Sequence, residues 1–309
     1  MTATVARRRS TVARHRSPAQ GSGGHFAQRA KATVGTAALL VVAVYVIAPI
    51  YWLVVASSKN ASQLFSTSTF LPPAQLNWVS NLRSLFSYNS GDFKWWFLNS
   101  VIYAVTTATF ATAVSTLAGY GLAKYRFRLR RAVFGLVLGA LLVPATALVV
   151  PLFLLEHDVH LTNTYQGVIL PLMVYPFGVY FMSIFSADAV PDTLIDSCRI
   201  DGAGEFRTFW RIGRPILMPG MVTLFLLSFI GTWNNYFLPL VLLGTETRFP
   251  LTVGLGAWAS DLSLAGAGQP LYPEVIIGSL VSVLPMLILF PFLQKYVARG
   301  LTLGAIAGE

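Results

Sequence analysis

The chain has 309 residues, of which 55% are hydrophobic and only 11% are charged. Soluble domains carry about a quarter charged residues, so this composition excludes an ordinary soluble domain and predicts an integral membrane protein. The formal net charge is +10, and the single cysteine, Cys198, excludes an internal disulfide and a cysteine-based metal site. No G-x-x-x-x-G-K-S/T pattern is present, so P-loop ATP hydrolysis by this chain is not expected.

Residues 1–33 contain seven Lys or Arg residues and no acidic residue. We predict a disordered basic cytoplasmic tail that favours anionic lipid over nucleic acid. The apolar run that follows, 34–56, is longer than the ~7–15 residues of a signal-peptide core, and no small-residue cleavage site follows it. We therefore interpret this run as an uncleaved first membrane span.

Six apolar windows are long enough to cross ~30 Å of hydrocarbon at ~1.5 Å per helical residue, and none contains a charged residue or histidine. These windows are 34–56, 96–118, 132–155, 165–187, 219–244 and 275–294. We predict an all-α integral membrane protein with six transmembrane helices within residues 34–299, followed by a short cytoplasmic tail at 300–309. Spans without ionisable residues disfavour a proton-coupled carrier, which keeps such residues in the membrane.

The basic residues are divided unevenly between the two sides of these windows. Of 22 Lys and Arg residues, the N-terminal tail, the second and fourth connections and the C-terminus hold 18, and the alternate connections hold 4. By the positive-inside rule, both termini and the fourth connection are predicted to be cytoplasmic.

The fifth window contains the most polar patch of any predicted span. The patch includes Trp233, Asn234, Asn235 and Tyr236. Unsatisfied amides are costly in hydrocarbon, so these side chains should face protein or water. Two interpretations stay open: they line a pathway for a polyhydroxylated solute, or they join helices to each other, and the second is favoured.

A second polar group, Glu156, His157, Asp158 and His160, falls in a short external turn between the third and fourth windows. Imidazole and carboxylate are common metal ligands. A closed site needs a further ligand at defined geometry, and none is evident, so we predict a solvated turn and no metal site.

The fourth connection, 188–218, is a charged, glycine-broken loop between two apolar windows. A helix is predicted to start near Pro191, and Asp201-Gly202 predicts a sharp turn, because glycine allows the backbone conformation that such a turn requires. A second short amphipathic helix should follow and end at Pro215. The loop is interpreted either as a docking surface for a soluble partner or as an interfacial helix without one.

This loop resembles the EAA loop of ABC importer permeases, whose pattern reads roughly E-A-A-x-x-D-G-A, then F, I and L-P. The direct matches are Asp201, Gly202, Ala203, Phe209, Ile212 and Pro215. The departures are Asp196, Ser197 and Cys198 in place of Glu-Ala-Ala, and Arg214 in place of a leucine. We expect Arg214 to snorkel, or to pair with Glu205 or with a partner.

Further stretches resemble the sugar-importer branch of this family, of maltose-permease type. They are Phe70-Leu71-Pro72-Pro73, Asn99-Ser100, and residues 119–125, 161–165, 233–239 and 299–302. The resemblance therefore covers nearly the whole chain from the first span onward.

The resemblance implies the type I ABC importer transmembrane fold and a non-catalytic permease subunit of a prokaryotic cell membrane, without a cofactor. It implies a second permease, two ATP-binding cassette ATPase subunits, an extracytoplasmic solute-binding protein and membrane lipid as partners. It also implies an ATPase-coupling loop in which Gly202 forms the turn and Asp196 makes a polar contact. The residues of this predicted loop are Asp196, Ser197, Cys198, Asp201, Gly202, Ala203, Glu205 and Phe209.

Three other functions remain as alternatives. A permease for amino acids, polyamines or peptides is disfavoured by the sugar-type stretches, and a gradient-driven carrier by the charge-free spans. A membrane scaffold would tolerate disruption of the loop's turn. A membrane enzyme is disfavoured because no cluster of bases, nucleophiles or metal ligands is predicted at a common depth.

Overall fold

The computed structural model describes residues 23–264 and 271–306, with side-chain surroundings for 33–262 and 271–292. Every regular element in these ranges is helical. The chain divides into two compact units, Met1–Trp52 and Leu53–Glu309. The predicted tail at 1–33 lies mostly outside the described residues, which begin in a helix at Gly23.

The first helix, α1 (Gly23–Ser57), contains the first predicted window. The further helices, in chain order, are α2 (Ala61–Ser66), α3 (Trp78–Ser87), α4 (Asp92–Lys124), α5 (Arg130–Leu141), α6 (Val149–Asp158), α7 (Tyr165–Met173), α8 (Pro176–Ala189), α9 (Asp192–Ile200), α10 (Glu205–Thr208), α11 (Arg214–Trp233), α12 (Phe237–Leu242), α13 (Leu251–Leu264) and α14 (Tyr272–Ile306).

Five helical segments in the described part of the chain are long and apolar enough to cross a membrane. They are Thr33–Ser57, Trp78–Lys124, Tyr165–Ala189, Glu205–Trp233 and Tyr272–Phe292. A sixth is added if the bent pair Arg130–Leu141 and Ala145–Asp158 forms one span. The predicted all-α membrane fold is confirmed, with five to six spans.

The third predicted window, 132–155, is not one continuous helix. Its two halves, Arg130–Leu141 and Ala145–Asp158, are bent by 97° at the break between them. Pro144 is extended there, with φ −60° and ψ 125°, and cannot donate a backbone hydrogen bond. The first half has 12 residues, which at ~1.5 Å each cannot cross ~30 Å of hydrocarbon alone. The predicted window is therefore a broken span, which crosses the membrane only if its two halves act as one.

The fifth predicted window, 219–244, is displaced along the chain. One helical segment runs from Glu205 to Trp233, so the loop's second helix continues into the span. The prediction that this helix ends at Pro215 is wrong. A π-helical turn joins the two parts, in which the Arg214 N–H bonds to the Phe209 carbonyl five residues earlier. Pro215 lies in the first turn of α11, where a missing N–H costs least.

Helix α4 is the central element of the second unit and packs against α7, α8, α11 and α13. Small residues bring α4 and α8 close together. A Cβ added at Gly119 would lie 2.7 Å from the backbone of Met182, and one at Gly178 would lie 2.5 Å from Ser115 Oγ. Such close approach is typical of helix pairs in membranes, where packing between small residues drives association.

The first residues of α4 hold the connection between α12 and α13. Asn99, 1% exposed, donates from Nδ2 to the Thr247 carbonyl at 2.8 Å and accepts from the Tyr165 hydroxyl at 2.7 Å. Ser100 Oγ accepts from the Leu251 N–H at 2.7 Å. Asn99 and Ser100, which form a sugar-type stretch, therefore bond to the main chain of the α12–α13 connection. These bonds hold the connection against α4.

Candidate functional site

The loop that follows α8 forms a helix, a turn and a second helix. Gly202, at the turn, has φ +73°, a left-handed conformation that glycine adopts without strain. The Gly202 N–H donates to the Arg199 carbonyl at 3.1 Å, and the Ala203 N–H donates to the Cys198 carbonyl at 2.9 Å. The turn predicted at Asp201-Gly202 is therefore present and is closed by its own backbone bonds.

Helix α9 has one buried side and one exposed side. Ile195 is 3% exposed and packs into the apolar cluster beneath the loop. Thr193, Asp196, Ser197 and Ile200 are exposed and follow the spacing of one helix face. Ile200 is 87% exposed and lies among polar side chains on this face. This exposed face of α9 is called the loop face below.

The eight residues predicted for the coupling loop do not share one surface. The exposed members are Asp196, Ser197, Asp201, Gly202 and Glu205. Cys198 and Ala203 are half-buried. Phe209 is 6% exposed and packs against Tyr120, with ring centroids 5.0 Å apart. Phe209 therefore supports the loop from inside.

A charged network bridges the turn. Arg199 donates from Nε to Glu205 Oε1 at 2.9 Å and from a guanidinium nitrogen to Asp196 Oδ1 at 3.2 Å. The Tyr125 hydroxyl donates to Glu205 Oε2 at 3.0 Å. Both carboxylate oxygens of Glu205 are thus occupied, and one arginine connects α9 with α10. The sequence indicated Arg199 only as a positive charge.

Arg214 does not pair with Glu205, which was one of the expectations. Its guanidinium lies over the Trp210 ring, 4.7 Å from the centroid. Trp210 in turn stacks on Phe206, with centroids 6.1 Å apart and an interplanar angle of 12°. Sequence reasoning missed this ladder, although its spacing of four residues along one helix could have revealed it.

A groove of about 430 Å³ opens between α9 and the end of α4. It is lined by Lys124, Tyr125, Arg126, Asp192, Ile195, Asp196 and Arg199. Both signs of charge line the groove, so it is a polar cleft beside the loop face. The sequence analysis placed Lys124 and Tyr125 in a sugar-type stretch and did not predict their contact with this loop.

The polar patch of the fifth window marks the break between α11 and α12. Trp233 is 4% exposed and donates from its indole nitrogen to the Ser282 carbonyl at 3.2 Å. The Asn235 carbonyl accepts from Thr252 Oγ1 at 2.7 Å. The Trp233 side chain thus bonds to α14, and the Asn235 main chain bonds to α13.

Asn234 is placed differently from its neighbours. Its side chain is exposed, and its Nδ2 donates to the Ile230 carbonyl at 3.0 Å within the same helix. A cavity of about 170 Å³ lies beside it, lined by Trp233, Asn234, Leu251, Thr252, Leu255, Ser282, Val283 and Met286. Tyr236 is 42% exposed, and its ring lies against Gly256 instead. Of the four predicted pathway residues, Trp233 and Asn234 line this cavity.

Glu156 and its neighbours form the end of α6 and the turn after it. Glu156 is 2% exposed, whereas His157, Asp158 and His160 are exposed. Within the described residues, no three side chains of the metal-ligating types converge on one point. Glu156 lies instead beside Gly167, where an added Cβ would be 2.7 Å from its Oε2.

Comparisons with known proteins identify close relatives. Residues 115–303 match the family described as "Binding-protein-dependent transport system inner membrane component". The chain is 37% identical to the arabinooligosaccharides transport system permease protein AraQ of Bacillus subtilis (strain 168), over 84% of this chain and 90% of that protein. It is 31% identical to the lactose transport system permease protein LacG of Rhizobium radiobacter, over 84% and 90% of the two chains.

The fold also matches a solved structure. A crystal structure of a bacterial ABC transporter involved in the import of the acidic polysaccharide alginate superposes with a TM-score of 0.76. The sequence identity is 23%, and the match covers 87% of this chain and 97% of that chain. This likeness concerns the fold of the helices alone.

Proposed function

The chain belongs to the family of inner membrane components of binding-protein-dependent transport systems, and on that basis we propose that it is the permease subunit of an ATP-driven sugar importer. It is a multi-pass membrane protein. In the proposal it forms one half of the translocation pathway and catalyses no reaction itself. ATP is hydrolysed by two ATPase subunits that bind to it.

The observation that carries the proposed coupling is the exposed loop face of α9. An isoleucine that is 87% exposed lies there beside Asp196 and Ser197, on a helix fixed from behind by the buried Ile195. A protein partner that covers this face would meet an apolar side chain among polar ones, a mixture that is typical of non-obligate interfaces. The loop face is therefore the contact surface for an ATPase subunit.

The proposed orientation follows from the distribution of charge. Both termini and the loop at 188–218 face the cytoplasm, since 18 of the 22 Lys and Arg residues belong to the segments on that side. The ATPase subunits then bind from the cytoplasm. A solute-binding protein delivers the sugar from outside, and a second permease completes the pathway.

The proposed transport cycle uses the continuity between the loop and a span. Because α10, the π-helical turn and α11 form one helical segment from Glu205 to Trp233, displacement of the loop by the ATPases moves α11 directly. The opposite end of that segment lies at Trp233, which lines the cavity of about 170 Å³. A push on the loop would thus change the shape of this cavity.

The sugar class rests on the relatives, which are named for arabinooligosaccharides and lactose. The cavity of about 170 Å³ is smaller than the ~300–1,000 Å³ of ordinary ligand pockets, so it does not hold a whole oligosaccharide. Its wall offers a passing sugar unit an apolar indole and a hydrogen-bonding amide. The alternatives are a permease for amino acids, polyamines or peptides, and a carrier driven by an ion gradient.

Reconstitution of the complete transporter in proteoliposomes tests this function. The transporter would contain this chain, its ATPase subunits, the second permease and the binding protein. Some members of a panel of oligosaccharides should stimulate its ATP hydrolysis several-fold and accumulate inside only when ATP is present. Amino acids, polyamines and peptides should give no stimulation. Stimulation by one of these instead, or uptake that follows an ion gradient without ATP, would contradict the proposal.

A further inference from the structure

The cytoplasmic end of α4, in the proposed orientation, contacts both helices of the coupling loop. Lys124 is the last residue of α4 and Tyr125 follows it directly. Lys124 bonds to Asp192, the first residue of α9, and Tyr125 bonds to Glu205, the first residue of α10. Two adjacent residues therefore hold the loop at two points, one on each side of its turn.

The first contact is an ion pair with one buried partner. Lys124 Nζ lies 2.8 Å from Asp192 Oδ1, and the lysine side chain is only 5% exposed, whereas that of Asp192 is 81% exposed. The same amine also donates to the Ala187 carbonyl at 3.3 Å. The bond from Lys124 holds the pKa of Asp192 below its usual range, so this carboxylate is ionised at neutral pH.

The second contact passes through a tyrosine fixed by aromatic neighbours. The Tyr125 ring packs edge-on against Tyr120 at 5.9 Å, and Tyr120 packs against Phe209 at 5.0 Å. Burial, and then the bond to Glu205, raise the pKa of Tyr125, so its hydroxyl remains a donor at neutral pH. Arg199 holds the other oxygen of Glu205 and thereby ties α9 into the same network.

We propose that Lys124 and Tyr125 are positioning residues that bind the coupling loop to α4, so that the loop and α4 move together. One contact would fix only the distance between the loop and the end of α4. Two contacts, one on each side of the turn, also fix the orientation of the loop relative to α4. Helix α4 packs against α7, α8 and α11, so a loop attached to it drives the centre of the unit as well as α11. This inference rests on the proposed docking of an ATPase on the loop.

The ion pair itself contributes little to stability, because one partner is almost fully solvated. Its effect should therefore appear in coupling and hardly in folding. If Lys124 and Tyr125 only stabilised the fold, their replacement would lower basal ATPase, stimulated ATPase and complex yield together. If they position the loop, stimulated hydrolysis and transport should fall while assembly and basal hydrolysis persist.

The test uses the reconstituted complex with Lys124→Met, Tyr125→Phe and the two combined. We expect the ratio of sugar-stimulated to basal ATPase to fall roughly fivefold in the combined variant, as interaction energies within one network allow. Arg128→Met is the matched control, since Arg128 is an exposed cation in the same connection, and it should keep the wild-type ratio.

A charge exchange separates positioning from general damage. Lys124→Glu places two carboxylates opposite each other and should reduce stimulation. Adding Asp192→Lys reforms the ion pair, but not the bond to the Ala187 carbonyl, and should restore part of the stimulation. A wild-type ratio of stimulated to basal ATPase in the variant that combines Lys124→Met and Tyr125→Phe would overturn this inference. So would the absence of any recovery on charge exchange. If the wild-type complex itself shows no stimulation by any sugar, the proposed function fails first and this inference falls with it.

Discussion

Replacing Gly202 with valine is expected to abolish sugar uptake and sugar-stimulated ATPase while leaving membrane insertion intact. Gly202 has φ +73°, and no heavy atom lies within 4 Å of where its Cβ would stand. The penalty therefore comes from the backbone alone: a left-handed conformation costs an ordinary residue about 1–2 kcal/mol, and a β-branched residue more. The turn would relax, and α9 would lose its direction relative to α10.

Gly204 provides the matched control, two residues along the same turn. It also has open space around its Cβ position, but its backbone is extended, with φ −69° and ψ 157°, which valine readily adopts. Gly204→Val should therefore keep most of the uptake. Equal uptake in the two variants, measured with labelled sugar in proteoliposomes at matched protein levels, would show that the geometry of the turn does not matter.

Gly202→Pro should be at least as damaging as the valine variant. Proline fixes φ near −65° and removes the N–H that donates to the Arg199 carbonyl at 3.1 Å.

Asp196→Lys acts differently, because it leaves the Gly202 turn unchanged but replaces a carboxylate on the loop face with a cation, next to Arg199. It should weaken association with the ATPase, and purified complexes would then contain less ATPase per permease.

Trp233→Ala and Asn234→Leu should separate the structural and transport roles of the polar break in the fifth span. Trp233 is 4% exposed, stacks on Phe229 at 5.8 Å and donates a hydrogen bond to Ser282. Its truncation to alanine should cost about 3–5 kcal/mol of stability, as is typical for a large buried aromatic residue. Thermal unfolding of the purified protein in detergent would measure this loss.

Asn234→Leu is expected to leave the unfolding temperature close to that of the wild type, because the side chain is exposed and bonds only within its own helix. It removes the amide that lines the cavity, so the rate of sugar uptake should fall at unchanged basal ATPase. Wild-type uptake by Asn234→Leu would assign the whole patch to helix contacts and remove this residue from the pathway.

The sequence predicted the membrane class, most of the spans and the turn of the loop from short-range features. Hydropathy depends on composition over about 20 residues, and Gly202 marks a turn through its own backbone freedom. Pro144 marks the position of the bend after α5, but its angle of 97° could not be predicted. A proline indicates that a helix can break, but the packing around it decides the angle.

The continuity of the loop's second helix with the fifth span could not be predicted from the sequence either. Pro215 suggested an end to the second loop helix, but the π-helical turn before it changes the hydrogen-bond spacing and lets the helix continue. The pairing of Glu205 with Arg199 and Tyr125 could not be predicted either, since Tyr125 lies 80 residues away along the chain. Contacts at such separations depend on how the helices pack.

The exposure of Ile200 was not predicted. In the structure Ile195 is 3% exposed and Ile200 is 87% exposed, because five residues along an α-helix place two side chains about 140° apart around its axis. Helical spacing therefore puts Ile200 on the loop face and the buried Ile195 on the opposite side.

Photo-cross-linking from the loop face tests the central claim that this loop contacts an ATPase. Ile200 would be replaced by the photoreactive residue p-benzoyl-phenylalanine in the assembled complex. Ile184 provides the matched control, because it is also exposed, at 47%, but lies in the membrane-spanning helix α8. We predict an adduct with the ATPase subunit from position 200 and none from position 184. A transport-competent complex that gives no ATPase adduct from position 200 would contradict the proposed docking of the ATPase on this loop.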